Sequence, residues 1–144
     1  MKLISELLRA KEREIWSVKP DSSVLEALNL MADKNVGALL VFEEEKLVGI
    51  FSERDYARKV ILKGKASKDT TVKEIMSSKV FYVKPEQSVE ECMALMTDKR
   101  IRHLPVLEED QVVGVISIGD VVKAIISDQD FMIHQLESYI TGVP

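Results

Sequence analysis

The sequence predicts an α+β fold built from one small β-α-β-β-α unit that occurs twice in 144 residues. In each half, short β-prone runs alternate with apolar residues at helical spacing, and similar turn residues separate them. The two halves also share residues in the same order, as repeat proteins do. The shared residues are Val18-Lys19-Pro20 with Val83-Lys84-Pro85, Gly49 with Gly114, Ser52 with Ser117, and Asp55 with Asp120.

Each repeat is predicted to begin with a short strand, Ile15–Val18 in the first copy and Val80–Val83 in the second. A proline follows each run and cannot donate to a central sheet ladder, so the strand ends there. Ser23 and Ser88 each precede a glutamate in the capping-box pattern that opens a helix. Apolar residues then recur at helical spacing in both copies, which predicts one amphipathic helix in each.

A pair of strands joined by an acidic turn is predicted after each of these helices. The predicted pairs are Ala38–Phe42 with Leu47–Phe51, and His103–Leu107 with Val112–Ile116. The acidic turns are expected to be solvated loops, with a metal site as the alternative: Glu43-Glu44-Glu45 and Glu108-Glu109-Asp110. A further helix is expected to follow each pair, from about Asp55 and from about Asp120.

The predicted domain division follows the repeat. Residues 1–66 are assigned to repeat 1 with an N-terminal helix, and residues 67–144 to repeat 2 with a C-terminal helix. The polar segment Lys63–Thr71 is expected to connect the two. The C-terminal segment Asp128–Tyr139 is predicted to be helical, and its apolar residues pack either on this chain or on a partner.

Composition excludes several classes of protein. The formal net charge is −4, which argues against a dedicated nucleic-acid-binding role because such binding rests on neutralising phosphates. No apolar run approaches the roughly 18 residues that span a bilayer, so no membrane role is expected. Cys92 is the only cysteine, so no intramolecular disulfide can form. We therefore expect a cytoplasmic protein in a reducing compartment.

The sequence contains no motif that predicts catalysis. It has neither a P-loop nor a G-x-G-x-x-G dinucleotide loop, and two histidines with one cysteine give no metal-ligand cluster. A nucleophilic pair of Cys92 with His103 is arithmetically possible, but Cys92 belongs to a helix face that must be buried. We expect neither an enzyme nor a metal site.

The end of the third strand in each repeat carries the most specific motif. It reads Gly49-Ile50-Phe51-Ser52-Glu53-Arg54-Asp55 in one copy and Gly114-Val115-Ile116-Ser117-Ile118-Gly119-Asp120 in the other. A strand ending in G-h-h-[ST]-x-x-D, duplicated in a β-α-β-β-α pair, resembles a tandem cystathionine β-synthase (CBS) domain pair, or Bateman module, of the stand-alone type. The resemblance implies two repeats packed about a pseudo-twofold axis, with two ligand-binding clefts between them.

The resemblance assigns residues to these clefts. In cleft A we expect Ser52, Arg54, Asp55, Val80, Phe81, Tyr82, Val83, Arg102, His103 and Pro105. In cleft B we expect Ser117, Asp120, Ile15, Trp16, Ser17, Val18, Gly37 and Ala38. The first strands would supply backbone groups to an adenine edge. The two aspartates would accept hydrogen bonds from ribose hydroxyls, in addition to capping the helices that follow.

The two clefts are predicted to differ in charge. Arg102 and His103 correspond in the repeat to Gly37 and Ala38, so cleft A has cations for a phosphate and cleft B has none at those positions. The resemblance implies a homodimeric sensor that binds an adenosine-containing ligand and signals to an unidentified regulated protein. AMP is the first candidate, and ADP, ATP, NAD(H) and S-adenosylmethionine stay open. The alternatives are a ligand-independent dimerisation scaffold and an RNA or single-stranded DNA binder.

Overall fold

The computed structural model describes residues 2–11 and 14–141, which form two compact units. The continuous unit is Ile15–Phe81. The split unit combines the described residues of Met1–Glu14 with those of Tyr82–Pro144. The predicted α+β class is confirmed, because both units combine a small sheet or hairpin with helices.

The continuous unit contains a three-stranded sheet. Its elements are β1 (Ser17–Val18), α2 (Val24–Lys34), β2 (Ala38–Glu43), β3 (Lys46–Ser52), α3 (Glu53–Asp55), a π-helical segment (Tyr56–Ile61) and α4 (Val72–Ile75). Strand β1 runs parallel to β2, and β2 and β3 form the predicted antiparallel hairpin. The buried core of this unit is Val24, Ala27, Met31, Leu39, Val41, Phe51, Val60, Val72 and Ile75.

The split unit repeats this plan with two differences. Its elements are α1 (Ile4–Ala10), α5 (Val89–Lys99), β4 (His103–Glu108), β5 (Gln111–Ser117) and α6 (Ile118–Thr141). The helix expected from about Asp120 and the helix expected at Asp128–Tyr139 are one continuous element, α6. The other difference is that the first strand predicted at Val80–Val83 is reduced to a single parallel bridge between Val83 and Val106.

A proline accounts for this reduced strand. In the continuous unit, Leu40 N donates to Trp16 O at 3.3 Å, a bond that helps to hold β1 beside β2. Pro105 occupies the position in β4 that corresponds to Leu40, and proline has no N–H to donate. Both backbone polar groups of Val83 are still bonded to β4. Its N–H donates to Pro105 O at 3.1 Å, and its carbonyl accepts from Leu107 N at 2.9 Å.

Serine caps open the first long helix of each repeat, as predicted. Ser23 Oγ accepts a hydrogen bond from Glu26 N at 3.0 Å, and Ser88 Oγ accepts one from Glu91 N at 3.1 Å. These bonds satisfy N–H groups that the first turn of a helix leaves without intrahelical partners.

The helices α1 and α4 dock in corresponding ways on their units. Val72 N donates to Ser22 O and Lys73 N to Pro20 O, both at 2.8 Å, within the continuous unit. In the split unit Ile4 N donates to Gln87 O and Ser5 N to Pro85 O, both at 2.9 Å. Each helix therefore packs on the repeat that it does not directly precede in the sequence.

The docking of α1 on the second repeat differs from the expected grouping of the N-terminal helix with repeat 1. Helix α1 is amphipathic, with Ile4, Leu7 and Leu8 buried, but a buried face does not specify which of two similar surfaces receives it. The division at residue 66 follows the sequence repeat and stays a prediction, whereas the compact units group the chain as described above.

Candidate functional site

The Ser-x-x-Asp motif lies in both units where the last strand becomes a helix. Ser52 ends β3 and Ser117 ends β5. The N–H of each aspartate donates to the serine Oγ at 3.2 Å, and the serine N–H donates back to the carboxylate at 3.0 Å for Asp55 and 2.8 Å for Asp120. The capping role is therefore present in both repeats.

Donors inside the continuous unit already occupy almost all of the hydrogen-bonding positions of the Asp55 carboxylate. Its Oδ2 accepts from Ser52 N at 3.0 Å and from Ser52 Oγ at 3.1 Å. Its Oδ1 lies 3.0 Å from Lys59 Nζ and 3.5 Å from Ser77 Oγ. A carboxylate has about four lone-pair positions. A ligand hydroxyl at Asp55 would therefore have to replace one of these donors, and the long Ser77 contact is the weakest of them.

The Asp120 carboxylate is more accessible. Its two closest donors, Ser117 N at 2.8 Å and Lys11 Nζ at 2.7 Å, reach the same oxygen, Oδ2. The side chain of Asp120 is 27% exposed, compared with 12% for Asp55. Asp120 therefore presents a carboxylate edge to solvent at the start of the 24-residue helix α6.

The surroundings of Asp120 favour its charged form. Burial raises the pKa of Asp120, but the hydrogen bond from Lys11, the bond from the Ser117 backbone and the positive charge of Lys11 outweigh burial, so the pKa lies below its usual value. The carboxylate is thus ionised and acceptor-only at neutral pH, which is the state that ribose hydroxyls require of an acceptor.

Inside the continuous unit, the predicted site residues of the first repeat lie near one another. Ala38 is paired with Ser52 across the hairpin, and Gly37 O accepts from Glu53 N at 3.1 Å. In the Ile15–Val18 segment, Trp16 packs against the core and Lys34 Nζ lies 4.4 Å from its ring centroid. One face of the indole is therefore already covered by a cation.

The corresponding residues of the second repeat lie together in the split unit. His103 is paired with Ser117, and Arg102 O accepts from Ile118 N at 2.8 Å. The Arg102 side chain is exposed, whereas Pro105 is buried. The structure thus places Arg102 and His103 beside the turn of their own repeat, which carries Asp120.

The predicted clefts combine residues of different units. Ser52, Arg54, Asp55, Val80 and Phe81 belong to the continuous unit, and the other cleft A residues, Tyr82, Val83, Arg102, His103 and Pro105, to the split unit. Cleft B likewise combines Ser117 and Asp120 with residues of the continuous unit. These combinations stay predictions.

Comparison with known proteins identifies the fold described above. The sequence model of the CBS domain matches residues 5–62 and 72–127, which is most of the chain and both repeats. The chain belongs to the CBS domain family.

Three similar proteins illustrate the match. The chain is 40% identical over 149 aligned positions to the mitochondrial CBS domain-containing protein CBSX3 of Arabidopsis thaliana, covering 96% of this chain and 72% of that protein. It is 51% identical to the solved structure of a putative signal-transduction protein with CBS domains from Burkholderia ambifaria, with a TM-score of 0.87, covering 89% of this chain and 96% of that one. A CBS domain pair solved in complex with 5-methylthioadenosine and S-adenosyl-L-methionine is 24% identical, with a TM-score of 0.78, covering 89% and 98%.

Two lysines near the CBS motif were not predicted from the sequence. Lys59 stands four residues after Asp55 on a helical segment, and this spacing is a usable signal for an ion pair. Lys11 has no such signal, because its partner Asp120 lies 109 residues further along the chain. Only the docking of α1 on the second CBS repeat brings these two side chains together.

Metal-ligating and membrane-spanning features were also sought in residues 2–11 and 14–141. This part of the chain contains no cluster of three or more histidine, cysteine, aspartate or glutamate side chains arranged to hold a metal ion. None of its helices has both the length and the apolar character needed to cross a bilayer. Cys92 is completely buried, as expected from its helix face, and burial, with a smaller contribution from the charge of Asp120, raises the pKa of its thiol to about 11.

Proposed function

We propose that this CBS pair is a regulatory module, rather than an enzyme, that binds adenosine-containing ligands and transmits their occupancy to a partner protein. AMP is the first candidate, followed by ADP, ATP, NAD(H) and S-adenosylmethionine. The CBS pair solved with 5-methylthioadenosine and S-adenosyl-L-methionine supports this class of ligand, since it shares the fold. Binding transmits a signal only if the ligand favours one arrangement of the protein over another.

The accessible carboxylate of Asp120 is the observation that carries the proposal. It lies at a strand-to-helix turn, is ionised, and has both of its closest donors on one oxygen. A carboxylate at such a turn can accept hydrogen bonds from the two hydroxyls of a ribose, as the acidic residue of dinucleotide-binding folds does. Asp55 has the same place in its repeat, but internal donors already surround it.

Positive groups near this turn suit a nucleotide phosphate. Helix α6 begins at Ile118, and the N-terminus of a helix of this length favours an anion through its backbone N–H groups and its dipole. The Lys11 ammonium contacts the Asp120 carboxylate directly. We therefore propose that the split unit contributes both a ribose acceptor and cations for a phosphate.

Calorimetric titration of AMP, adenosine and S-adenosylmethionine tests the proposal, with Asp120→Asn as the variant and Asp55→Asn as its matched control. A hydrogen bond to a charged group contributes about 1.5–3 kcal/mol, so Asp120→Asn is expected to weaken all three ligands about 10- to 100-fold. Asp55→Asn is expected to lower the free energy of unfolding and to change affinity much less.

Two results would contradict this assignment. If no adenosine compound bound the wild-type protein at millimolar concentration, the scaffold alternative would replace the sensor. If Asp120→Asn bound all three ligands with unchanged affinity, the carboxylate would be only a helix cap.

We also propose that the protein is a homodimer. The outer half of α6 exposes several large apolar side chains that make a continuous helical surface: Phe131, Met132, Leu136, Tyr139 and Ile140. Such a surface is typical of an interaction site rather than of a solvated helix. Light scattering is expected to give about twice the chain mass of 16.3 kDa, and a monomer mass at micromolar concentration would contradict the proposal. The cytoplasmic location stays a prediction.

A further inference from the structure

Lys11 stands outside the predicted clefts, at the end of a helix that several contacts hold on the split unit. Helix α1 is joined to the split unit by the backbone bonds of Ile4 and Ser5, and Leu8 packs at Gly114. Lys11 caps the C-terminal end of this helix. Its ammonium donates to Val115 O at 2.8 Å and to Asp120 Oδ2 at 2.7 Å. The ammonium thus bridges the last strand of the second repeat and its motif carboxylate.

In the first repeat, the cation that compensates the motif aspartate comes from the helical segment that follows the motif. There Lys59 Nζ lies 3.0 Å from Asp55 Oδ1 and donates to Ile75 O at 3.1 Å. Ala124 occupies the corresponding position on α6 and carries no charge. The second repeat therefore receives its compensating cation from the N-terminal segment.

We propose that Lys11 determines which ligand charge the Asp120 site accepts. This inference rests on the proposed function, since it concerns the same carboxylate. An uncompensated Asp120 would repel a nucleotide phosphate and attract a cationic ligand such as S-adenosylmethionine, which carries a sulfonium. Lys11 cancels that charge. An ammonium has three N–H donors, and in the part of the chain that the structure describes Val115 O and Asp120 Oδ2 accept from two of them, so the third can donate to a phosphate oxygen.

Coulomb's law sets the size of the effect. The side chains of Lys11 and Asp120 are 34% and 27% exposed, which calls for an effective dielectric constant nearer to that of water than to that of a protein interior. One unit charge about 7 Å from a ligand charge then changes affinity about three- to tenfold. The change in affinity has opposite signs for an anionic and a cationic ligand. The affinity of a neutral ligand does not change.

The experiment compares AMP, 5-methylthioadenosine and S-adenosylmethionine by calorimetry on the full chain with Lys11→Met. AMP is expected to bind about three- to tenfold more weakly, S-adenosylmethionine about threefold more tightly, and the neutral 5-methylthioadenosine within twofold of wild type. Lys11→Arg keeps the charge and is expected to restore the wild-type order. Lys11→Gln keeps a donor without the charge and is expected to behave as Lys11→Met does.

Matched measurements separate charge selection from loss of structure. Lys59→Met removes the corresponding cation of the first repeat and is expected to leave the AMP to S-adenosylmethionine affinity ratio unchanged. Equal changes for all three ligands in Lys11→Met and Lys11→Gln, or no change, would overturn the role of Lys11 while leaving the proposed function intact. Failure of every ligand to bind the wild type would overturn both.

Discussion

Helix α1 lies so close to Gly114 in the second CBS motif that the effect of Gly114→Ala on the free energy of unfolding can be predicted. A Cβ atom at Gly114 would lie 2.5 Å from Leu8 Cδ2 and 3.5 Å from Leu8 Cδ1. Leu8 is only 2% exposed, so its side chain cannot move without repacking the core. Overpacking costs about 1–3 kcal/mol, and replacing glycine returns about 0.4–1 kcal/mol through the unfolded chain. We therefore expect Gly114→Ala to lower the free energy of unfolding by up to about 2.5 kcal/mol.

The double variant with Leu8→Ala identifies the cause. Leu8→Ala alone should cost about 2–5 kcal/mol, because it removes buried methyl groups and leaves a cavity. In the double variant the new methyl at position 114 occupies part of that cavity. We therefore expect the combined loss to be smaller than the sum of the two single losses by about 1–2 kcal/mol.

Urea unfolding of the four proteins, followed by far-ultraviolet circular dichroism, measures this coupling. Gly119→Ala is the matched control, because the nearest atom to a Cβ there is Ser117 Oγ at an ordinary 3.6 Å. Gly119 lies in α6, where alanine is the better helix former, so its effect should be neutral or stabilising and additive with Leu8→Ala. Strict additivity of Gly114→Ala and Leu8→Ala would refute the packing of α1 on β5.

Two further predictions follow from the pKa values of the split unit. The thiol pKa of Cys92 is raised to about 11 and its side chain is fully buried, so Cys92 should resist alkylation by iodoacetamide at pH 8. It should react once urea unfolds the protein. Rapid labelling of the native protein would contradict this burial. Because the folded-state pKa of Asp120 is lowered from the reference value of 3.8, its contribution to stability is complete above that value and is lost as the pH falls through the folded-state pKa. The urea midpoint should therefore fall less between pH 5 and about 3 in Lys11→Met than in wild type, and equal falls would show that Lys11 does not set this pKa.

Local patterns predicted the hairpin and the first long helix of each repeat. The hairpin predicted at Ala38–Phe42 and Leu47–Phe51 is found, extended by one residue at the outer end of the first strand and by one at each end of the second. Both serine caps are found as well. These features depend on neighbours within a few residues, so the sequence alone contains the information that specifies them.

Features that depend on distant residues could not be predicted in the same way. The loss of a regular strand before Val83 follows from the missing N–H of Pro105 in a neighbouring strand. The ion pair of Lys11 with Asp120 depends on the docking of α1. Neither apolar spacing nor capping patterns specify which repeat receives a short helix, so the compensating cation of the second motif was not foreseen.

The split unit is built from two segments that are far apart in the sequence, and this constrains the order in which the two units can fold. The continuous unit, Ile15–Phe81, is complete once a single stretch of chain has been synthesised. Helix α1 is synthesised well before Gln87 and Gly114, which it contacts. Its apolar side chains must wait uncovered on the nascent chain, because domains form as their residues emerge from the ribosome. During that interval the split-unit surface of a second copy whose own α1 has not yet docked can receive the helix, which is the route by which proteins exchange identical elements between copies.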